Sequence, residues 1–312
     1  MNKSISIIVP VYNEEENIEA LYQKIAVHLK GLNLEMIFVD DGSTDNSLGI
    51  LKQICSSDKR VKVISFRRNF GQTAAIAAGF DMAEGEILIT LDADLQNDPI
   101  DIPKLMRLME HGYDVVSGWR KNRKDDLFFR KIPSYCANKL ISLVTGVKLH
   151  DYGCTLKAYR KEIIKDIKLY GEMHRFLPAL AVWAGAKITE IEVEHRPRMR
   201  GQSKYGINRI FKVLLDLITI KFLMNYSTKP SYIFGGLGIF SFFMGFASMV
   251  VVSYRMFILK HFETTPLVFM MVVFYIAAIQ LILMGLLAEV LVRTHFESQN
   301  KPIYFIKQKI NC

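Results

Sequence analysis

The sequence predicts an α/β domain of about 200 residues followed by two membrane-spanning helices. First, apolar and β-branched runs alternate with helical patterns from Ser4 to Ser117; that rhythm marks a parallel sheet joined by crossover helices. Second, none of the 40 Lys and Arg or 31 Asp and Glu falls between Pro230 and Tyr254 or between Thr264 and Ala288. At about 1.5 Å per residue each uncharged stretch reaches roughly 37 Å, enough to cross a hydrocarbon core of about 30 Å with some tilt. Third, 312 residues, half of them apolar, with a net charge of +9, exclude a disordered chain, a collagen-like repeat and a small disulfide scaffold.

The elements follow in order. Strand Ser4–Val11 is nearly all apolar, as expected when helices cover both faces. Helix Glu15–Leu29 comes next, with Asn13 and Glu16 at the spacing of a capping box. Strand Glu35–Val39 leads through Asp41-Gly42-Ser43-Thr44, a second capping pattern, into helix Asp45–Cys55. Strand Val61–Ser65, helix Thr73–Ala83, strand Glu86–Leu91, helix Ile102–Glu110 and strand Asp114–Ser117 continue the alternation. The run Arg175–Ala186, with Phe176, Leu177, Leu180, Val182 and Trp183, fits either a surface element or a core helix.

Residues 1–204 make up the expected catalytic domain. In 205–229, Ile207, Ile210, Phe211, Leu214, Leu215 and Ile218 recur at helical spacing opposite Arg209, Lys212 and Asp216, the pattern of an amphipathic helix lying in the membrane interface. Spans 230–254 and 264–288 flank an external hairpin, 255–263, and 289–312 form a cytosolic tail. Lys204, Arg209, Lys212, Lys221 and Lys229 precede the first span, and Arg293, Lys301, Lys307 and Lys309 follow the second; this excess puts both termini and the domain on the cytosolic side of the cell membrane. Ile5–Val11 contains Pro10 and offers no cleavage site, so no secretory signal is expected. Gly235, Gly236, Gly238, Gly245 and Gly285 would let the spans approach closely. Cys55, Cys136, Cys154 and Cys312 show no metal-ligand spacing and read as reduced thiols.

In open α/β sheets ligands bind beyond the carboxyl ends of the strands. There the chain carries Pro10-Val11-Tyr12-Asn13-Glu14, Asp40-Asp41-Gly42-Ser43-Thr44-Asp45 and Asp92-Ala93-Asp94-Leu95-Gln96. No GxGxxG or Walker A loop is present to cradle phosphates. Asp92 and Asp94, with the side-chain oxygen of Gln96, form instead a hard-oxygen set suited to Mg²⁺ or Mn²⁺ bridging to a diphosphate. A lone Asp-x-Asp is more often a bare turn. Its place after an apolar strand, in register with Asp40-Asp41, favours the metal. The basic run His195–Arg200 with Lys204 suits anionic lipid headgroups as well as a bound diphosphate. Nothing resembling a nucleic-acid-binding module accompanies the positive charge.

Ile7–Glu14, Val39–Asp45, Arg68-Asn69-Phe70-Gly71 and Asp92–Gln96 resemble the signature blocks of glycosyltransferase family 2, whose fold is GT-A. Gly118-Trp119-Arg120, Arg130–Ser134, Asp151-Tyr152-Gly153-Cys154 and Arg200–Tyr205 narrow the resemblance to polyprenyl-phosphate glycosyltransferases, a group that includes dolichyl-phosphate mannose synthase and bactoprenol glucosyltransferases. The resemblance runs through most of residues 4–210. It implies that Pro10, Tyr12, Glu14, Asp40 and Asp41 hold the base and ribose of a nucleotide sugar, and that Asp92, Asp94 and Gln96 surround metal and diphosphate. It also implies that Arg120, Arg130 and Ser134 receive the lipid phosphate, and that Arg200, Ser203 and Lys204 lie on a loop over the diphosphate. A homo-oligomer is implied too.

The expected reaction is inverting transfer of a hexose, with UDP-glucose as first expectation and a modified arabinose or another hexose open, to undecaprenyl phosphate. A phosphate monoester is largely dianionic at neutral pH, so no side chain need deprotonate it, and catalysis reduces to positioning and electrostatic stabilisation. Asp151 is then either a general base, by analogy with relatives that use a hydroxyl nucleophile, or an orienting group, which the dianion favours. A processive polysaccharide synthase would need more spans and a Gln-x-x-Arg-Trp motif, neither found. A silent sugar-nucleotide-binding scaffold has no reason to keep Asp92, Asp94, Arg120 and Arg130 together.

Overall fold

The structure, a computed structural model, describes residues 4–121, 132–165, 167, 169, 173–196, 231–257, 266–298 and 304–311. Arg130, Arg198, Arg200, Ser203, Lys204, the expected 205–229 helix and most of the 255–263 hairpin lie outside these residues. The chain divides into two units, Met1–Leu217 with Pro302–Cys312, and Ile218–Lys301.

In the first unit the alternating runs become β1 (Ile5–Val11), α1 (Ile18–His28), β2 (Leu34–Asp40), α2 (Ser47–Ser57), β3 (Val61–Phe66), α3 (Gln72–Met82), β4 (Ile87–Thr90), α4 (Ile102–Glu110) and β5 (Val115–Trp119). Then come α5 (Ile132–Thr145), which carries Ser134, β6 (Lys157–Arg160), α6 (Lys161–Ile164), α7 (Leu177–Trp183), β7 (Ile188–Glu192) and, from the far end of the chain, β8 (Ile306–Ile310). The strands form one sheet in the order β7-β5-β6-β4-β1-β2-β3-β8. Strand β1 is buried on both faces, which explains its nearly all-apolar sequence. Ile5, Ile7, Val9 and Val11 join Ile18 and Leu21 of α1, Leu51 of α2 and Leu105 of α4 in one core, while Ile8 faces Gly79 of α3 on the other side.

The sheet is mixed, which corrects the all-parallel expectation. β1 to β4 are parallel, as are β5 and β7, but β6 runs antiparallel to β4 and β5, and β8 antiparallel to β3. The cause is where the chain re-enters. β5 ends, and β6 begins, at the same edge, since Ser117 pairs with Lys157; a strand entered from the end its neighbour leaves must run antiparallel. β8 likewise enters beside Phe66, the last residue of β3. The 289–312 segment is thus more than a tail: it extends the second apolar helix to Ser298 and returns to complete the sheet.

The capping patterns also act differently. Helix α1 begins at Ile18 behind Asn17, so Asn13 and Glu16 form no capping box. Asn13 sits at φ 53°, accepting from the Thr44 N–H at 2.8 Å and donating its own N–H to Ser43 Oγ at 3.0 Å. It ties the loop after β1 to the loop after β2. Helix α2 starts at Ser47, whose N–H donates to Asp45 Oδ1 at 3.0 Å. Helix α7 is the core alternative for Arg175–Ala186: Phe176, Leu177 and Leu180 are buried, and Trp183 at its end is exposed.

The second unit is a helical hairpin, α8 (Ser231–Phe257) and α9 (Pro266–Ser298). The apolar windows Phe234–Phe257 and Pro266–Ala288 are only 17% and 6% buried. A soluble core helix would be mostly covered, so length and exposure together fit candidate membrane spans. Gly238 lets the helices meet: a Cβ there would lie 2.8 Å from Ile282 Cγ1. Gly245 faces Phe274, whereas Gly235 and Gly236 face open space.

Candidate active site

Because β1 to β4 are parallel, the segments that follow them converge at one edge of the sheet. Between the loops after β1, β2 and β3 lies a cavity of about 430 Å³ whose walls include Tyr12, Asp40, Ser43, Ser65, Arg68 and Asn69. Asp40 is buried, its Oδ1 accepting from the Ser43 N–H at 3.0 Å and its Oδ2 from the Ser65 hydroxyl at 2.8 Å. Asp41 turns the other way and accepts from the N–H groups of Phe70 at 2.7 Å and Gly71 at 2.9 Å. Burial pushes its carboxyl pKa up, against those two hydrogen bonds. It therefore shapes the Arg68–Gly71 loop rather than the cavity wall. Gly42 is required between them: its φ is +68°, and a Cβ would lie 2.5 Å from the Arg68 carbonyl carbon. Pro10 stays within β1, paired with Val39. Glu14 accepts from Asn17 Nδ2 at 2.7 Å, and its charge is felt at Asp92.

After β4 come the two acids. Burial first, then Asp94, push the Asp92 carboxyl up to about 7. Gln72 Nε2, at the start of α3, donates to Asp92 Oδ1 at 2.8 Å, and the Gln96 N–H donates to Asp94 Oδ1 at 3.2 Å. Leu95 between them is held at φ 60°, a left-handed conformation costly for a branched side chain. Two mutually repelling carboxylates on a turn, one of them driven toward its neutral form, suit a hard divalent cation whose charge would restore the ionised state. Asp92, Asp94 and the Gln96 side chain are the residues that could hold it. Among the described residues no three His, Cys, Asp or Glu side chains converge as a self-sufficient metal cluster, so substrate and water oxygens would complete the coordination.

Opposite the acids stands a buried cationic pair. Arg120, at the end of β5, forks onto Asp151 through Nε–Oδ2 at 2.7 Å and Nη2–Oδ1 at 3.0 Å. Burial opposes the guanidinium charge, and the Asp151 fork outweighs it, so the Arg120 pKa rises. Lys157 of β6 is buried and donates to the Tyr152 carbonyl at 3.0 Å; burial pulls its pKa down to about 8. Burial also raises the neighbouring Cys154 thiol to about 11, leaving it inert at neutral pH. The chain leading toward Arg200 is docked beside the acids: the Arg196 N–H donates to the Gln96 carbonyl at 2.9 Å, and Arg196 Nη2 pairs with Asp98 at 2.9 Å.

Glu14, Asp92, Asp94, Arg120 and Asp151 thus gather at one sheet edge, with Tyr12 and Asp40 at the adjoining cavity. Gln72, which donates to Asp92, Lys157, which feels the charges of Asp151 and Asp92, and Ser65, Arg67 and Lys307, which line the cavity, carried no site expectation from the sequence. A lone lysine in the apolar run Leu156–Tyr159 was the visible sign for Lys157. Lys307 had none, because the strand it lies beside, β3, is about 240 residues away in the sequence.

The profile of glycosyl transferase family 2 matches residues 6–168. Dodecaprenyl-phosphate galacturonate synthase of Rhizobium johnstonii is 44% identical over 97% of this chain and 92% of its own length. Undecaprenyl-phosphate 4-deoxy-4-formamido-L-arabinose transferase of Aeromonas hydrophila is 37% identical over 98% of this chain and 94% of its own. Among solved structures, glucosyl-3-phosphoglycerate synthase from Mycobacterium tuberculosis, in complex with Mn²⁺, UDP and phosphoglyceric acid, superposes with a TM-score of 0.55 at 18% identity, covering 71% of this chain and 78% of that one. At that identity the likeness establishes the shared fold alone.

Proposed function

This chain belongs to glycosyl transferase family 2 and is a glycosyltransferase of GT-A fold, and from that premise we propose that it transfers a sugar from a nucleotide donor to a polyprenyl phosphate at the cytosolic membrane face. The observation that carries the proposal is the juxtaposition of the Asp92/Asp94 turn, the Arg120–Asp151 fork and buried Lys157. Acids suit a metal-bound donor diphosphate, and cations suit an anionic acceptor. The nucleoside would occupy the cavity beside Asp40 and Tyr12.

Asp92 and Asp94, with Gln96, would hold Mg²⁺ or Mn²⁺, which when bound supplies charge neutralisation to the leaving diphosphate. The remaining chemistry belongs to the chain. Arg120, kept ionised by Asp151, uses two of its five N–H donors on that carboxylate and keeps the rest for the acceptor phosphate. One phosphate oxygen of the acceptor forms a bond to the anomeric carbon as the bond from that carbon to the diphosphate breaks on the opposite face, inverting the configuration. Asp151 is committed to Arg120, so it orients rather than removes a proton. Arg130, Ser134, Arg200, Ser203 and Lys204 are assigned to the two phosphates by resemblance. The return of the chain as β8 supports the proposed topology. A sheet strand on the domain side of the bilayer requires an even number of crossings, and α8 and α9 provide two.

The donor sugar is the open part of the reading, with UDP-glucose the first expectation and a modified arabinose or another hexose beside it. Two of the similar relatives carry galacturonate and formamido-arabinose in their names, so an acidic or modified sugar stands beside UDP-glucose as donor. Membranes containing the protein, undecaprenyl phosphate and Mg²⁺ or Mn²⁺ should move label from one member of a panel of radiolabelled nucleotide sugars into the lipid phase. A panel of glucose, uronic acid and formamido-arabinose donors yielding no lipid-linked label would overturn the proposal.

A further inference from the structure

We propose that Lys307, on the strand following the second apolar helix, binds the donor nucleotide by donating to a carbonyl oxygen of its base. This deepens the proposed function and rests on the cavity of about 430 Å³ being the nucleoside site. Lys307 lines that cavity together with Asp40 and Arg68. Its place there comes from an irregularity in the pairing of β8 with β3. Val63, Ile64 and Ser65 face Ile310, Lys309 and Gln308 in step, but Phe66 faces Ile306, leaving Lys307 as the extra residue of a β-bulge. Bulges re-aim a side chain that regular pleating would direct elsewhere, and they recur beside active sites.

The strand is pinned on both sides of the bulge. Tyr304 stacks on Phe66 with ring centroids 5.1 Å apart and donates its hydroxyl to Asp81 Oδ2 at 2.7 Å. The Phe305 carbonyl accepts from the N–H of Arg67, another wall residue, at 3.1 Å. Asn311 Nδ2 donates to the Cys55 carbonyl at 2.8 Å. Lys309, two residues on, spends its ammonium on Met82 Sδ at 3.2 Å, whereas Lys307 makes no hydrogen bond or ion pair among the described residues. An ammonium is a donor only, and the buried Asp40 carboxylate is an acceptor. One donor and one acceptor in a single cavity complement a ring edge where C=O adjoins N–H, as in uracil.

The test is binding of UDP and of uridine to the full-length, detergent-solubilised protein by calorimetry, with Lys307→Ala, Lys307→Gln, Lys309→Ala and Asp40→Asn. Losing a charge-assisted hydrogen bond should weaken both ligands roughly tenfold in either Lys307 variant, with Lys309→Ala at the wild-type value. Wild-type affinity in both Lys307 variants, with weakened binding in Asp40→Asn, would refute Lys307 and leave the cavity assignment standing. A loss confined to UDP would place the ammonium at the phosphates and overturn the base contact. Unchanged binding in Asp40→Asn as well would remove the nucleoside site from this cavity, and with it the ground of the inference.

Discussion

Asp151→Asn separates the two roles open to this carboxylate. In the structure Asp151 is buried, receives both arms of Arg120 at 2.7 and 3.0 Å and also accepts from the Gly153 N–H at 3.0 Å. Asparagine keeps the shape but turns one acceptor into an NH₂ facing a guanidinium, leaving a buried cation without its counter-charge. Breaking a buried pair from one side costs about 3–5 kcal/mol. For a domain of this size each kcal/mol lowers the unfolding midpoint by roughly 2–4 °C, so the midpoint should fall by about 6–20 °C. The assay is a thermal scan of the purified protein followed through intrinsic fluorescence, with turnover measured well below the new midpoint. Replacing both partners, Arg120→Leu with Asp151→Leu, should recover most of the stability, since an apolar pair of similar volume avoids burying charge, but not the activity. A general base predicts the opposite: Asp151→Asn within 2 °C or so of wild type, and turnover down by about 10²–10⁴. That result would refute the orienting assignment.

The Asp92 carboxyl, with its pKa pushed up to about 7 in the folded protein by burial and by Asp94, loses stability as pH rises. A raised acid is neutral in both states below about 4, the unfolded value, and is fully penalised above about 7. Mg²⁺ or Mn²⁺ should therefore raise the unfolding midpoint more at pH 8 than at pH 5. Asp94→Asn should abolish that increment and most metal-dependent transfer; metal stabilisation equal at both pH values would exclude Asp92 as a ligand. Gly42→Ala puts a Cβ at a left-handed φ against the Arg68 backbone and should displace the cavity wall, weakening UDP binding at least tenfold with the two apolar helices unaffected; unchanged binding would show that this loop does not touch the nucleotide.

The α/β alternation and the two candidate spans were legible because each rests on short-range pattern. β1 shows its double-sided burial in five consecutive residues, and an uncharged stretch of membrane length needs no partner to be recognised. The same holds for the acids after β1, β2 and β4, since a parallel sheet forces those loops to one edge. Division of labour within a motif was not legible. Asp40 and Asp41 are adjacent in sequence, yet one borders the cavity and the other holds the Phe70–Gly71 turn, because successive side chains leaving a strand point to opposite sides.

By itself, then, the sequence determined the glycosyltransferase class, through local blocks that resemble the family's, and two helices long and apolar enough to cross a membrane, through long runs without charge. Tertiary structure alone decided the antiparallel entry of β6, the commitment of Arg120 to Asp151, and the arrival of Lys307 beside Asp40. Each depends on where a distant segment re-enters the sheet. Strand pairing is fixed by backbone hydrogen bonds that carry little sequence signal, and a one-residue bulge changes which side chain reaches the site. The segment that reads as a tail is a wall of the cavity, and its place in the sheet follows from the chain's return to the unit it left before the apolar helices.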